Sequence, residues 1–313
     1  MKILTRKQIE TAIDVPLLLA EMEKGLVAYS EKKTQLAPVS FLHFDAPPGD
    51  VHIKAGAIRG DDLYVVKIAS GFYDNPKHGL PSSNGVMLLF SQVTGELQAI
   101  LCDEGRLTDI RTGLAGAICA KYCAPKQVER IGIIGTGTQA REQLFHLQFV
   151  TACRDVLVWG RSQEKAFIFA KDPYLAGFNI RCANSIEELA QHCNLIVTAT
   201  ASTEPLLFGH QLMPGTHVTA VGADDVGKQE LDSSVFTAAD LIVVDSLEQC
   251  RNIGDLSHTK EKIGDKPVVE LGAFIKDAQV REAPWITIAD LTGIAVEDLQ
   301  VAKAIWRHYE IQN

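Results

Sequence analysis

Between Ile131 and Ala140 the chain reads Ile-Gly-Ile-Ile-Gly-Thr-Gly-Thr-Gln-Ala, so Gly135, Gly137 and Ala140 fall in the spacing G-x-G-x-x-A. The isoleucines suit a buried parallel strand, and Arg141 to Leu144 can continue as a helix. A strand that turns on glycine into a helix is built for phosphate. Glycine lets the backbone turn tightly and approach a pyrophosphate, and the helix start offers free N–H groups and the positive end of its dipole. In that context the pattern is a dinucleotide-binding fingerprint, with Gly135, Gly137, Thr138, Gln139 and Ala140 as cofactor-binding candidates.

The next strand, Asp155 to Trp159, ends in Gly160-Arg161-Ser162. A site for NAD commonly carries a carboxylate there to accept the ribose hydroxyls. Here Arg161 could pair with a 2′-phosphate and Ser162 donate to it. The expectation is NADP(H), with NAD(H) open if Arg161 is only a solvated surface residue.

The chain has 313 residues, 46% of them hydrophobic and 22% charged, with a net charge of −9. That is enough for two domains or one large one, and it argues against non-specific nucleic-acid binding. The first ten residues lack an apolar signal core and no run approaches a membrane span, so a cytoplasmic protein without a membrane partner is expected. Seven scattered cysteines show no metal-ligand spacing and suit a reducing compartment; Cys119 and Cys123 read as buried thiols in a helix.

The elements that must position this chemistry follow in order. Thr5 caps a short helix to Ile13, and Asp14 caps a longer one with Leu18, Met22, Leu26 and Tyr29 at helical spacing. Strands are expected at 51–58, 63–69, 85–91 and 96–103, with a loop over 70–84, giving an antiparallel sheet. A helix over 107–122 carries Thr112, Gly113, Ala115, Gly116, Ala117 and Ala120, small enough for close approach of another helix or a ligand. After the fingerprint, strands at 155–159, 178–182, 194–200, 216–221, 241–244 and 285–289 alternate with helices at 138–150, 162–170 and 185–191, the last opened by a Ser185/Glu188 capping box. That alternation predicts a doubly wound parallel sheet. A final helix over 295–311 shows an apolar face of Val296, Leu299, Ala302, Ile305 and Trp306.

Three further stretches narrow the reading: Val65 to Gly71, Leu107 to Ala117, and Ala220 to Leu231. With Ile131 to Ala140 they closely resemble the ornithine cyclodeaminase/mu-crystallin family, over nearly the whole chain and in the same order. The resemblance implies an α/β fold: a Rossmann-type domain over 113–290 inserted into an α+β substrate-binding and dimerisation domain made of 1–112 and 291–313. It also implies a homodimer, and hydride transfer between a nicotinamide and an imine or amine carbon.

The resemblance assigns site residues too. Lys67 matches the active-site lysine, and its neighbours Val65, Val66 and Ile68 could desolvate it for proton transfer. Arg111 matches the arginine that grips the substrate carboxylate with a planar fork. Thr112 resembles a residue touching the cofactor phosphate. Asp224 matches an aspartate facing the substrate's amino groups, with helix capping in a loop as the competing reading. Ser82 falls near a family hydroxyl residue close to the carboxylate. Relatives often carry an arginine where this chain reads Ala37-Pro38-Val39-Ser40, so the second cation would come from Lys54, or from His52, which reads as structural. That departure and the Arg161 strand end weigh against plain ornithine cyclodeamination. The leading expectation is reduction of Δ1-pyrroline-2-carboxylate to L-proline. An ornithine cyclodeaminase, a non-catalytic NADPH-binding protein and an open-chain amino-acid dehydrogenase are the competitors.

Overall fold

The computed structural model describes residues 1–72, 74–259, 263–264, 266–277 and 285–312. It divides into two compact units, Met1–Arg111 with Ile294–Asn313, and Thr112–Gly293.

The first unit runs β1 (Lys2–Thr5), α1 (Arg6–Thr11), α2 (Val15–Ser30), β2 (Thr34–Leu36), β3 (Ser40–Asp45), β4 (Pro48–Ile58), β5 (Leu63–Phe72), β6 (Ser83–Ser91) and β7 (Leu97–Cys102). Helix α3 (Arg106–Cys123) carries the chain onward, and α10 (Ala295–Gln312) belongs to this unit again. Its caps follow the sequence: Asp14 accepts from the Leu17 N–H at 3.0 Å, and Gln8 folds back on the Thr5 N–H at 2.9 Å. Helix α1 stops at Thr11, two residues short of the expected end.

Strands β4 to β7 pair antiparallel in order, with β2 and β3 both on β4. The exception to the expected antiparallel sheet is β1, which lies parallel to β7. No hairpin joins these two, so nothing forces the antiparallel arrangement. Part of the expected 70–84 loop is strand, because β5 reaches Phe72 and β6 begins at Ser83; Tyr73 lies outside the described residues. The pleat then decides burial. Along β5, Leu63, Val65 and Lys67 share the buried face. Helices α2 and α10 pack together, and α10 lies on β4, β5 and β6. Close approach needs glycine: a Cβ on Gly56 would stand 3.1 Å from Ala295 Cβ.

The second unit runs β8 (Ile131–Ile134), α4 (Thr138–Leu147), β9 (Asp155–Trp159), α5 (Gln163–Ala170), β10 (Asn179–Cys182), α6 (Ile186–His192), β11 (Leu195–Thr198) and β12 (His217–Ala220). It continues through α7 (Ser233–Ala238), β13 (Leu241–Val244), α8 (Leu247–Asn252), β14 (Val268–Glu270), α9 (Leu271–Lys276) and β15 (Thr287–Asp290). Among the described residues these form an eight-stranded parallel sheet in the order β10-β9-β8-β11-β12-β15-β13-β14. Alternate residues feed two cores. Ile131, Ile133, Val156, Val158, Leu195 and Val197 enter one, and Ile134, Leu157, Ile196 and Val218 enter the other. A sheet buried on both faces is what the doubly wound expectation requires. Strand order reverses between β8 and β11, which makes the crevice there the topological switch point.

Some local expectations are corrected. Helix α4 ends at Leu147 and β15 begins at Thr287. The Ser185 box is half made: Ser185 accepts from the Glu188 N–H at 3.0 Å, but the Glu188 carboxylate turns to the Asn184 N–H at 2.8 Å. The small residues of α3 meet a helix: a Cβ on Gly113 would fall 2.5 Å from His146 Nδ1, and one on Gly116 would collide with Gln143, both on α4. Among the described residues the cysteines form no disulfide, and Cys119 and Cys123 are buried. Among the described residues no helix is long and apolar enough to cross a membrane.

Candidate functional site

In the first unit three cations meet two carboxylates. Lys54 and Lys67 stand directly opposite each other in the β4–β5 register, both on the buried face. Arg111, from α3, is also buried. The first turn of α10 brings Glu297 and Asp298, where carboxylates also suit the helix dipole. Lys67 Nζ donates to Asp298 Oδ1 at 2.9 Å. Arg111 Nη1 donates to Glu297 Oε2 at 2.9 Å, and its Nε lies 3.3 Å from Asp298 Oδ1.

The electrostatics follow from this crowding. Burial pulls the Lys67 ammonium down to about 8; Asp298 pulls it back up, while Arg111 and Lys54 lower it further. Burial pushes the Asp298 carboxyl up, but Lys67, Arg111 and Lys54 outweigh it and hold the group below its ordinary value. Asp103, just before α3, accepts from the Leu107 N–H at 2.8 Å; burial raises its carboxyl, and its backbone donors and the Lys67 charge oppose that. The arrangement can hold a proton on Lys67 near neutral pH beside a guanidinium fixed by Glu297. Ser82 is exposed in the turn before β6, where its carbonyl accepts from the Phe72 N–H. His52 packs edge-on against Phe41 and lies 3.4 Å from Asp50.

In the second unit the glycine turn has the geometry its chemistry needs. Gly135 has φ +127°, and a Cβ there would fall 2.4 Å from the Ala199 carbonyl at the end of β11. Gly137 is the N-cap of α4, and a Cβ on it would meet nothing within 4 Å. Packing therefore demands glycine at Gly135 but not at Gly137, where the space is open to a ligand. Thr138 is exposed, Gln139 half-buried and Ala140 buried against the sheet. Arg141 Nε pairs with Asp172 at 2.5 Å, and its Nη1 donates to the Thr136 carbonyl at 3.3 Å, bracing the turn. These features fit a pyrophosphate.

The other expected residues also belong to the second unit. Arg161 is exposed and makes no hydrogen bond or ion pair among the described residues. Ser162 is the N-cap of α5, its hydroxyl accepting from the Lys165 N–H at 3.3 Å. Thr112 is half-buried, and its carbonyl accepts from Gln143 at 2.7 Å. Asp224 is exposed in the segment after β12 and pairs with Lys228 at 2.6 Å.

Two groups escaped the sequence reading. Glu297 and Asp298 lie on a helix whose sequence reads as a one-sided apolar stripe, yet every residue from Ala295 to Trp306 is buried. Charges inside a helix buried all round are a signal, since each needs a partner. The second group is a run of buried carboxylates at the carboxyl ends of the parallel strands. Glu230 accepts from Thr198 Oγ1 (2.7 Å), Thr200 N–H (2.6 Å), Thr200 Oγ1 (2.7 Å) and Gly222 N–H (2.8 Å), tying the ends of β11 and β12 together. The Glu230 N–H donates to Asp255, and the Asp255 N–H donates to Asp290. Asp245 accepts from the N–H groups of Thr292 and Gly293. Burial raises Glu230 to about 7, helped by the charge of Asp255, and raises Asp255 to about 6.

The model of the ornithine cyclodeaminase/mu-crystallin family matches residues 1–312. An uncharacterized cyclodeaminase of Sinorhizobium fredii is 36% identical over 319 residues, covering 99% of this chain and 96% of its own. An archaeal alanine dehydrogenase, a dimer solved with bound NAD, superposes with a TM-score of 0.89 at 32% identity, covering 99% of this chain and 96% of its own. The Δ1-pyrroline-2-carboxylate reductase of Thermococcus litoralis, solved with NADH and L-proline, superposes with a TM-score of 0.91 at 28% identity, covering 100% and 98%. This chain belongs to the ornithine cyclodeaminase/mu-crystallin family.

Proposed function

We infer that this protein reduces a small cyclic ketimine bearing a carboxylate, with Δ1-pyrroline-2-carboxylate to L-proline as the leading substrate pair. One observation carries the reading: a buried lysine held near neutral proton affinity stands beside a buried, carboxylate-braced arginine. Arg111 would bind the substrate carboxylate, with Lys54 as the second cation in place of the family arginine missing near Ser40. Lys67 would hold the proton that the imine nitrogen takes up. A nicotinamide, when bound, would supply the hydride for the imine carbon. The turn at Gly135 and Gly137 with the N-terminus of α4 would hold its pyrophosphate, and Arg161 and Ser162 would favour NADPH over NADH. Thr112, Thr138, Gln139 and Ala140 complete the proposed cofactor set. Asp224, with Lys228 as its present partner, and Ser82 are further substrate-contact proposals. The similar archaeal alanine dehydrogenase is a dimer, and β3 exposes Phe41, Leu42 and Phe44, which supports a homodimer here.

The cyclodeaminase reading stays as the second because of the S. fredii relative. The test is oxidation of NADPH and NADH with chemically generated Δ1-pyrroline-2-carboxylate, beside L-ornithine, and pyruvate with ammonia. Turnover of the cyclic imine supports the reading. No turnover of it, with proline and ammonia formed from L-ornithine, would replace it by cyclodeamination.

A further inference from the structure

Lys54 and Lys67 face each other across β4 and β5 on a buried face, a placement that like charges resist. Arg111 adds a third positive charge from α3. Across Lys67 on β6 the register places the apolar Met87. The groups around Lys67 are Lys54 from β4, Arg111 from α3, Asp103 before α3, and Glu297 and Asp298 from α10. Asp298 faces both Lys67 and Arg111 through one oxygen, Oδ1. Its other oxygen is buried without a hydrogen-bond partner. The grip comes from 231 residues away in the sequence.

The geometry points to Asp298 as the positioning residue of the proposed reductase: it keeps Lys67 protonated, fixes the direction of its ammonium, and ties that ammonium to the arginine that would bind the substrate carboxylate. Glu297 has a separate task, since it contacts Arg111 through Nη1. A buried amine beside two other cations, deprived of its carboxylate, gives up its proton at lower pH. Asp298 therefore sets the upper pH limit of a step in which Lys67 donates, whereas Glu297 sets substrate affinity. This inference rests on the proposed reduction for its kinetic arm only.

The experiment compares wild type, D298N, D298E and E297Q in two ways. The first is kcat and KM against pH with the cyclic imine. In D298N the alkaline limb moves to lower pH by about one unit or more, and kcat at pH near 7.5 falls about 10- to 100-fold, with KM changed less than about threefold. In E297Q, KM rises about tenfold and the limb stays in place. D298E keeps the charge and so keeps the limb within about half a unit, with a lower kcat from the displaced ammonium. The second arm is an NMR titration of lysines labelled at Cε, with Lys67 assigned from K67M, which needs no turnover. A lower Lys67 midpoint in D298N than in wild type supports the inference even if no imine is reduced, in which case the proposed function alone fails. An unmoved Lys67 midpoint in D298N overturns it. If D298N does not fold, D298E decides: a limb or midpoint displaced by a full unit despite the retained charge overturns it.

Discussion

In the first unit, Lys67 and Arg111 are buried against Asp298 and Glu297, cation on carboxylate. In the second, Glu230, Asp255, Asp290 and Asp245 are buried with backbone N–H and hydroxyl groups on their oxygens. The first arrangement balances charge with charge and leaves a proton available on an amine. The second uses carboxylates as staples that satisfy loop N–H groups at the carboxyl ends of β11, β12 and β15. One suits proton transfer and the other suits holding loops still beside the crevice at Gly135. The two should therefore fail differently when disturbed.

The largest expected difference is in rate. Lys67→Met should lower kcat for imine reduction about a thousandfold, the middle of the range for losing a general acid, while cofactor binding by fluorescence titration stays near wild type. Loss of cofactor affinity instead would remove Lys67 from the proton-transfer step. Glu230→Ala should do the reverse, acting on stability. It strands the Thr200 and Gly222 N–H groups; the two threonine hydroxyls can rotate to other acceptors, so at about 1–3 kcal/mol for each N–H left unpaired the loss should be about 2–6 kcal/mol. Denaturant unfolding measures it; a change under about 1 kcal/mol would show that water replaces the carboxylate freely.

A third test separates packing from binding inside the second unit. Gly137→Ala should leave the melting temperature within about 2 °C, because its Cβ has room, yet weaken cofactor binding about tenfold or more by blocking the approach of the pyrophosphate. A folded variant with wild-type affinity would move the phosphate away from Gly137.

Stability against pH sharpens the contrast further. Glu230 is raised from its ordinary 4.5 to about 7, so its contribution is complete below the ordinary value and is lost as pH rises through about 7. Lys67 is depressed from 10.5 to about 8, so its contribution is complete above the ordinary value and is lost as pH falls through about 8. Relative to wild type, Glu230→Gln should therefore gain most above neutrality and Lys67→Met most below it, read from thermal melts at several pH values. Parallel slopes for the two variants would contradict the separation. The smallest effect belongs to the surface: Arg161→Ala should reduce kcat/KM for NADPH about tenfold or less with little change for NADH. Equal losses for both cofactors would take Arg161 out of nucleotide choice.

Much of the parallel sheet was legible because its strands are buried on both faces and read as continuous apolar runs; β9 and β13 fall where the sequence places them. The glycine turn was legible because its backbone requirements are local. Strand β3 leaves no signal in the sequence, since all six of its residues are exposed and it lacks the alternation that marks a half-buried strand. The half-made Ser185 box shows the same limit on a small scale, because Asn184 competes for the Glu188 carboxylate.

Short-range order in the chain determined the strand–turn–helix at Gly135, the alternation that turns Lys67 inward with Leu63 and Val65, and the family resemblance itself. What it could not determine is which carboxylate meets that lysine. Asp298 reads as an ordinary acid in the first turn of a helix, and only the packing of α10 on β4 and β5 brings its oxygen to Lys67. Periodicity encodes which way a side chain points, because that depends on neighbours in the chain. The partner it finds depends on the tertiary fold, here across most of the sequence.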